Sequence, residues 1–121
     1  GVVNVASVVG LLGPALKSNI KRALYRPIKS FIIAFTEQLV IAYGQSGVSL
    51  QCLCPGLTVS SFHKRSQQSH LYQTIPAMFW LSSEQVAEKS FKALPKKRVV
   101  VVTGWINRLV IIISRLIGLL A

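Results

Sequence analysis

The chain is poor in acidic residues: its carboxylate side chains are Glu37, Glu84 and Glu88, against 14 lysines and arginines. The formal charge of +11 raises the question of an anionic partner. The basic residues are scattered, and their one run, at 96–98, has no zinc-finger spacing, heptad or aromatic RNA-binding box around it. We therefore expect no nucleic-acid partner and a solvated turn at 96–98, although phosphate-bearing ligands or anionic lipid could use the same charge.

Charged residues of either sign are scarce, at 14% of 121 residues, whereas 51% are hydrophobic. This composition excludes a disordered tail and favours one domain with elements buried on both faces. The chain has two cysteines, Cys52 and Cys54, whose spacing in a strand-like run predicts a shared face without an easy disulfide. Because His63 and His70 lie too far along to complete a ligand cluster, we expect no metal site and a reducing, cytoplasmic compartment.

Long apolar runs are also absent, since the longest one near the end of the chain, 109–113, is far short of the roughly 20 residues that span a bilayer. Residues 105–121 predict an apolar helix in which two polar pairs, at 107–108 and 114–115, form one narrow stripe. We expect a packed helix or one that lies at a membrane surface. Peripheral membrane contact through 105–121 and a homo-oligomer both stay open.

The apolar segments alternate between strand and helix patterns along one domain, 1–121, without an internal repeat. The order is strand 1–9, loop 10–18, helix 27–43, strand 48–54, irregular segment 57–80, helix 84–94, strand 98–103 and helix 105–121. Such alternation predicts right-handed crossovers and an α/β fold with three layers around a parallel sheet. The long polar segment 57–80 is typical of a lid over a substrate.

Three polar groups are expected at the carboxyl ends of the parallel strands, where open α/β sheets bind ligands. They are Ser7, the pair Tyr25 and Lys29, and the turn that ends at Gly56. Hydride transfer to a carbonyl requires a proton donor and a group that polarises the oxygen. A tyrosine serves when a nearby ammonium favours its ionised form, and Lys29 follows Tyr25 by one helical turn. A serine hydroxyl can hold the same oxygen.

Four segments, in this order, resemble the short-chain dehydrogenase/reductase family. They are NVASVVG, YRPIKSFIIAFTEQL with the YxxxK pattern, GVSLQCLCPGLTVSSF, and the ending LSSEQVAEKSFKALPKKRVVVVTGWINRL. The resemblance covers nearly the whole chain and implies the C-terminal half of a Rossmann-like, three-layer parallel sheet. It also implies an oxidoreductase that uses NAD or NADP and acts on a small apolar alcohol or carbonyl substrate.

The resemblance also implies roles for individual residues. Tyr25 would be the general acid/base, Lys29 would assist it and hold the nicotinamide ribose, and Ser7 would orient the substrate oxygen. The implied cofactor contacts are Asn4, Lys29, Pro55, Gly56 and Ser60. The aromatic residues Tyr72, Phe79 and Trp80 line a substrate pocket in one interpretation and cap the core in another.

The chain departs from the family pattern in three places. The Gly-rich turn that holds the cofactor pyrophosphate has no match, so we expect the dinucleotide-binding half to be missing and this chain alone to be inactive. Tyr25 lies 18 residues after Ser7, about one helical turn more than is usual. Pro27 falls inside the YxxxK pattern. These departures keep a second hypothesis open, a non-catalytic remnant that binds a membrane or a partner through 96–98 and 105–121.

Overall fold

The computed structural model describes residues 1–13, 23–60 and 73–120. The strands there are β1 (Val2–Val5), β2 (Leu50–Cys54), β3 (Thr58–Val59), β4 (Leu81–Ser82) and β5 (Val100–Val102), and the longer helices are α1 (Tyr25–Tyr43), α2 (Ser83–Ala93) and α3 (Trp105–Leu120). Short 3-10 helices cover Val8–Leu11, Ala77–Phe79 and Leu94–Lys96. No helix within these ranges is long and apolar enough to cross a membrane.

The main sheet has the strand order β1-β2-β5, and both pairings are parallel. Asn4 lies opposite Cys52, and Cys52 lies opposite Val100. The central strand β2 therefore has a neighbour on each side, and its four residues from Gln51 to Cys54 are buried. The predicted α/β class with a parallel sheet is confirmed.

Alternate side chains of β2 enter two separate cores, as a pleated strand requires. Cys52 and Cys54 pack with Ala6 and with Ile33 of α1. Leu53 packs on the other face, in a cluster with Val86 and Ala93 of α2 and Val101 of β5. The helices thus cover opposite faces of the sheet, which gives the predicted three layers.

Helix α1 begins at Tyr25, two residues before the predicted start, and Pro27 is its third residue. A proline in the first helical turn removes no hydrogen bond, because the first N–H groups of a helix have no partner within it. The next residue, Ile28, donates its N–H to the Leu24 carbonyl at 3.1 Å. Pro27 therefore fits this helix, and Tyr25 and Lys29 belong to the same element.

The apolar face predicted for α1 lies largely on the outside. Ile28, Phe31 and Phe35 are 53%, 66% and 47% exposed, whereas the buried residues of the helix are Ile33 and Thr36. The buried side is set by polar contact as well as by packing, because Thr36 Oγ1 accepts a hydrogen bond from Asn4 of β1 at 3.0 Å. The expectation that elements are buried on both faces is wrong for this side of α1.

Strand β1 is shorter than the predicted strand 1–9, because the chain turns after Val5. Ser7 is the N-cap of the 3-10 helix Val8–Leu11, and its Oγ accepts the Val9 N–H at 3.3 Å. The serine hydroxyl thereby gives a partner to a backbone N–H at the start of the 3-10 helix, where the helix itself offers none. The two valines at 8 and 9 therefore belong to a turn rather than to the strand.

A small second sheet brackets segment 57–80, because β3 at its start pairs in parallel with β4, which begins directly after residue 80. Ser82 then starts α2 with a capping box, in which its Oγ accepts the Gln85 N–H and the Gln85 side chain accepts the Ser82 N–H. Residues 61–72 lie outside the described part of the chain. The lid assignment stays a prediction.

The buried side chain of Gln51 gives a test of the packing between β2 and α2. Ser90 Oγ donates to Gln51 Oε1, and Gln51 Nε2 donates to the Ser90 carbonyl at 3.2 Å. Ser90→Ala would leave a buried amide oxygen without its donor, so we expect a loss of about 1–3 kcal/mol in the free energy of unfolding, measured with urea. The control Ser46→Ala removes an exposed hydroxyl and should change it by less than about 0.5 kcal/mol. Equal effects of the two variants would contradict this packing.

Candidate active site at the carboxyl edge of the sheet

Two turns meet at the carboxyl edge of the main sheet. Ser7 follows the end of β1 and is buried, and Pro55 and Gly56 follow the end of β2. The Val8 N–H donates to the Pro55 carbonyl at 3.0 Å, so the turns are hydrogen-bonded to each other. The convergence predicted for these two segments is present.

The first turns of α1 lie over the same edge. Lys29 Nζ donates to the carbonyl of Val5, the last residue of β1, at 3.2 Å. Ser30 Oγ donates to the Gly10 carbonyl at 2.8 Å, and the Arg26 guanidinium donates to the Leu12 carbonyl at 2.6 Å. These three hydrogen bonds hold the first turns of α1 against the segment that contains Ser7.

Lys29 also lies beside Tyr25. Its Nζ is 5.7 Å from the centroid of the Tyr25 ring, which is within the range of a cation–π contact. The Tyr25 side chain is partly exposed, so a ligand at this edge can reach it. The structure therefore joins Tyr25, Lys29 and the end of β1 in one place, as the spacing of one helical turn predicts.

Asn107 is a residue that the sequence interpretation missed. Its Nδ2 donates to the Thr103 carbonyl at 2.6 Å, and a Cβ added to Gly56 would overlap its amide group. Gly104, with φ of +83°, makes the turn between β5 and α3 that brings Asn107 there. Asn107 therefore fills the junction between the turns after β2 and β5, which is why Gly56 needs to lack a side chain.

Two further predicted cofactor contacts are Asn4 and Ser60. The Asn4 amide donates to Thr36 of α1, so it links two elements beneath the edge. Ser60 follows β3, and Thr58 Oγ1, before it, donates to the Gly56 carbonyl at 3.1 Å. The cofactor roles of Asn4 and Ser60 stay predictions.

An apolar cavity of about 430 Å³ lies next to the Gly56 turn. Its lining includes Leu57, Phe79, Leu81, Trp105, Asn107 and Val110. Of the predicted pocket residues, Phe79 lines this cavity and Trp80 donates its indole Nε1–H to the Ile75 carbonyl at 3.2 Å. Tyr72 lies outside the described residues, so its predicted role stays a prediction.

The two cysteines lie directly under the edge as buried free thiols. The hydrogen bond with Cys54 lowers the pKa of Cys52, and the same hydrogen bond together with burial raises the pKa of Cys54. Because both side chains are fully buried in the core against Ala6 and Ile33, they support the site from below rather than contact a ligand.

No family model and no curated protein sequence matches the chain. Among solved structures, a short-chain dehydrogenase from Sphingobium yanoikuyae in complex with NADPH gives a TM-score of 0.67 at 19% identity, over 98% of this chain and 43% of its own. A 7β-hydroxysteroid dehydrogenase gives 0.66 at 22% identity, over 90% and 40%. A ribose-5-phosphate isomerase from Brucella melitensis 16M gives 0.59 at 26% identity, over 86% and 43%.

The chain thus spans about two fifths of the length of these structures. The dehydrogenases share its fold, and the presence of an isomerase among the similar structures shows that the fold does not determine the reaction. Taken together, the fold is that of part of a short-chain dehydrogenase.

The contact between Gly56 and Asn107 can be tested by a double-mutant cycle. Gly56→Ala should lower the free energy of unfolding by about 1 kcal/mol, because its methyl group would displace the Asn107 amide from its hydrogen bond with the Thr103 carbonyl. Asn107→Ala removes the amide that the methyl group meets. The cost of Gly56→Ala should therefore be smaller in an Asn107→Ala background than in the parent chain. The measurement is urea unfolding. If the double variant loses the sum of the free energies that the two single variants lose, the two turns do not touch.

Proposed function

We propose that this chain is the catalytic, C-terminal part of an NAD(P)-dependent oxidoreductase of the short-chain type, which transfers hydride between its cofactor and an apolar alcohol or carbonyl compound. The observation that carries the proposal is the position of Lys29. Its ammonium donates to the Val5 carbonyl and lies 5.7 Å from the Tyr25 ring centroid, at the strand end that leads to Ser7. The similarity in fold to an NADPH-bound short-chain dehydrogenase supports it.

The proton transfer falls to Tyr25. When a carbonyl is reduced, its oxygen needs a proton, and the partly exposed phenol of Tyr25 can donate one there. The positive charge of Lys29, 5.7 Å from the centroid of the Tyr25 ring, would offset the negative charge that this transfer leaves on the tyrosine. Ser7 Oγ accepts the Val9 N–H, which leaves its own O–H free to donate to the same substrate oxygen.

The described residues fit the nicotinamide half of the cofactor. A nicotinamide cofactor, when bound, supplies or accepts the hydride. The Lys29 ammonium has three N–H groups and uses one on Val5, so the others can donate to ribose hydroxyls. The turn of Pro55 and Gly56 would border the nicotinamide. The sequence of 121 residues contains no Gly-rich βα turn of the kind that binds the cofactor pyrophosphate.

The apolar cavity next to Gly56 supports an apolar substrate. Its volume of about 430 Å³ is within the range of small-molecule sites, and its lining is mainly hydrophobic. One of the similar structures is a 7β-hydroxysteroid dehydrogenase, whose name gives a hydroxysteroid as its substrate. We therefore propose bulky alcohols or ketones as the substrate class.

Replacement of Tyr25 tests the proposed proton transfer. The test is made on a protein in which the dinucleotide-binding half precedes Gly1. The measurement is the rate of NADPH oxidation with a bulky ketone as substrate. Tyr25→Phe keeps the ring but removes the proton donor, so we expect kcat to fall on the order of 10²–10⁴-fold, with NADPH affinity nearly unchanged.

Tyr43→Phe is the matched control, since it makes the same change at the other end of α1, on an exposed side chain. It should leave kcat unchanged. Turnover retained by Tyr25→Phe would remove Tyr25 from the mechanism, and equal losses in both variants would point to damage to the helix.

A further inference from the structure

The C-terminal helix α3 turns its polar side toward the protein. Ser114 is buried, and its Oγ accepts the Gly13 N–H at 3.1 Å. Arg115 Nε donates to the Leu11 carbonyl at 3.0 Å, and Asn107 fills the turn beside Gly56. Asn107, Ser114 and the hydrogen bond of Arg115 therefore anchor α3 to the domain.

The opposite side of α3, which faces outward, is apolar. Side chains three and four residues apart share one side of a helix, and this side carries residues that are each about half exposed or more. We call it the outward face of α3, formed by Trp105, Leu109, Ile112, Ile113 and Leu116. Trp105 is the most exposed of the five, at 72%. A helix that presents its apolar side to water requires something to cover it.

A basic cavity lies directly beside this face. It has a volume of about 340 Å³, at the edge of β5 between α2 and α3. Its positively charged lining consists of Lys89, Lys92, Lys96, Arg98 and Arg108. Trp105 lines the cavity as well, and Arg108 lies on the same side of α3 as Trp105 and Ile112, so the cavity and the outward face form one surface.

Few negative charges balance this cavity. The whole chain has three carboxylate side chains, and among the described residues one of them, Glu88, pairs with Lys92. The hydrogen bond from Lys92 lowers the pKa of Glu88, so this pair stays formed at neutral pH. Four further positive charges then surround the cavity. The ligand that complements them carries several negative oxygens, as a phosphate group does.

We propose that this combined surface docks on an anionic phospholipid bilayer, with a lipid phosphate in the basic cavity and the outward face of α3 in the acyl region. A helix with an apolar face flanked by basic side chains is the arrangement that binds such surfaces. A second copy of the chain fits less well, because a twofold contact would bring the same positive charges together.

Vesicle co-sedimentation tests the proposal with the 121-residue chain. The vesicles contain phosphatidylcholine alone or mixed with phosphatidylserine, and binding should require the anionic lipid and weaken at high salt. Arg108→Gln should lower the partition coefficient about fivefold. Ile112→Ser, which changes an outward side chain, should lower it about tenfold. Arg26→Gln is the matched control, because it removes the same charge from α1, outside the lining of the basic cavity, and it should bind like the parent chain.

The fluorescence of Trp105 gives a second readout that does not depend on the amount sedimented. In a Trp80→Phe chain Trp105 is the remaining tryptophan. Its emission should shift to the blue on anionic vesicles and should be quenched by lipids brominated in the acyl chain.

Four results would overturn the proposal. The first is no binding, and the second is equal binding to vesicles with and without phosphatidylserine. The third is an equal loss in Arg108→Gln and Arg26→Gln, which would indicate net charge alone. The fourth is a stable dimer in sedimentation velocity that Ile112→Ser abolishes.

Discussion

The pairing of β2 on both sides is the constraint on which the rest of this structure depends. Its parallel hydrogen bonds to β1 and β5 fix three strand ends at one edge. Its alternate side chains, Cys52 and Cys54 on one face and Leu53 on the other, hold α1 and α2 to opposite faces. The turns that contain Ser7 and Gly56 meet because the strands before them are in register. The candidate site is thus a consequence of the sheet rather than of any local motif.

The sequence predicted the end of β2 because Pro55 ends its apolar run, but it did not predict the short strands β3 and β4. It predicted the relation of Tyr25 to Lys29 because one helical turn is a local distance. It misplaced the start of α1 by two residues, since Pro27 is compatible both with a helix start and with the first turn inside a helix. Strand β1 was predicted too long because a valine pair has strand propensity, whereas Ser7 caps a 3-10 helix there.

Periodicity shows which side chains share a helix face but not which face turns inward. In α1 the buried side is set by the packing of Ile33 and by the contact of Asn4 with Thr36, two residues that carry no apolar signal. In α3 the inward side contains Ser114, whose Oγ accepts the N–H of the distant Gly13, and Asn107, whose amide lies beside the distant Gly56. The same long-range contact explains why Asn107 could not be recognised from a polar pair in an apolar helix. Tertiary hydrogen bonds therefore contribute to both orientations, together with the buried residues Ile33 of α1 and Ile111 of α3.

The central claim is that the edge with Lys29 and Gly56 binds the nicotinamide half of the cofactor. Amide and side-chain NMR spectra of the isotope-labelled chain, recorded with reduced nicotinamide mononucleotide and with adenosine monophosphate, test it most directly. The account predicts saturable shifts at Ser7, Lys29 and Gly56 with the nicotinamide nucleotide and none there with the adenosine nucleotide. Equal shifts with both nucleotides, or no shifts at these three residues, would contradict it.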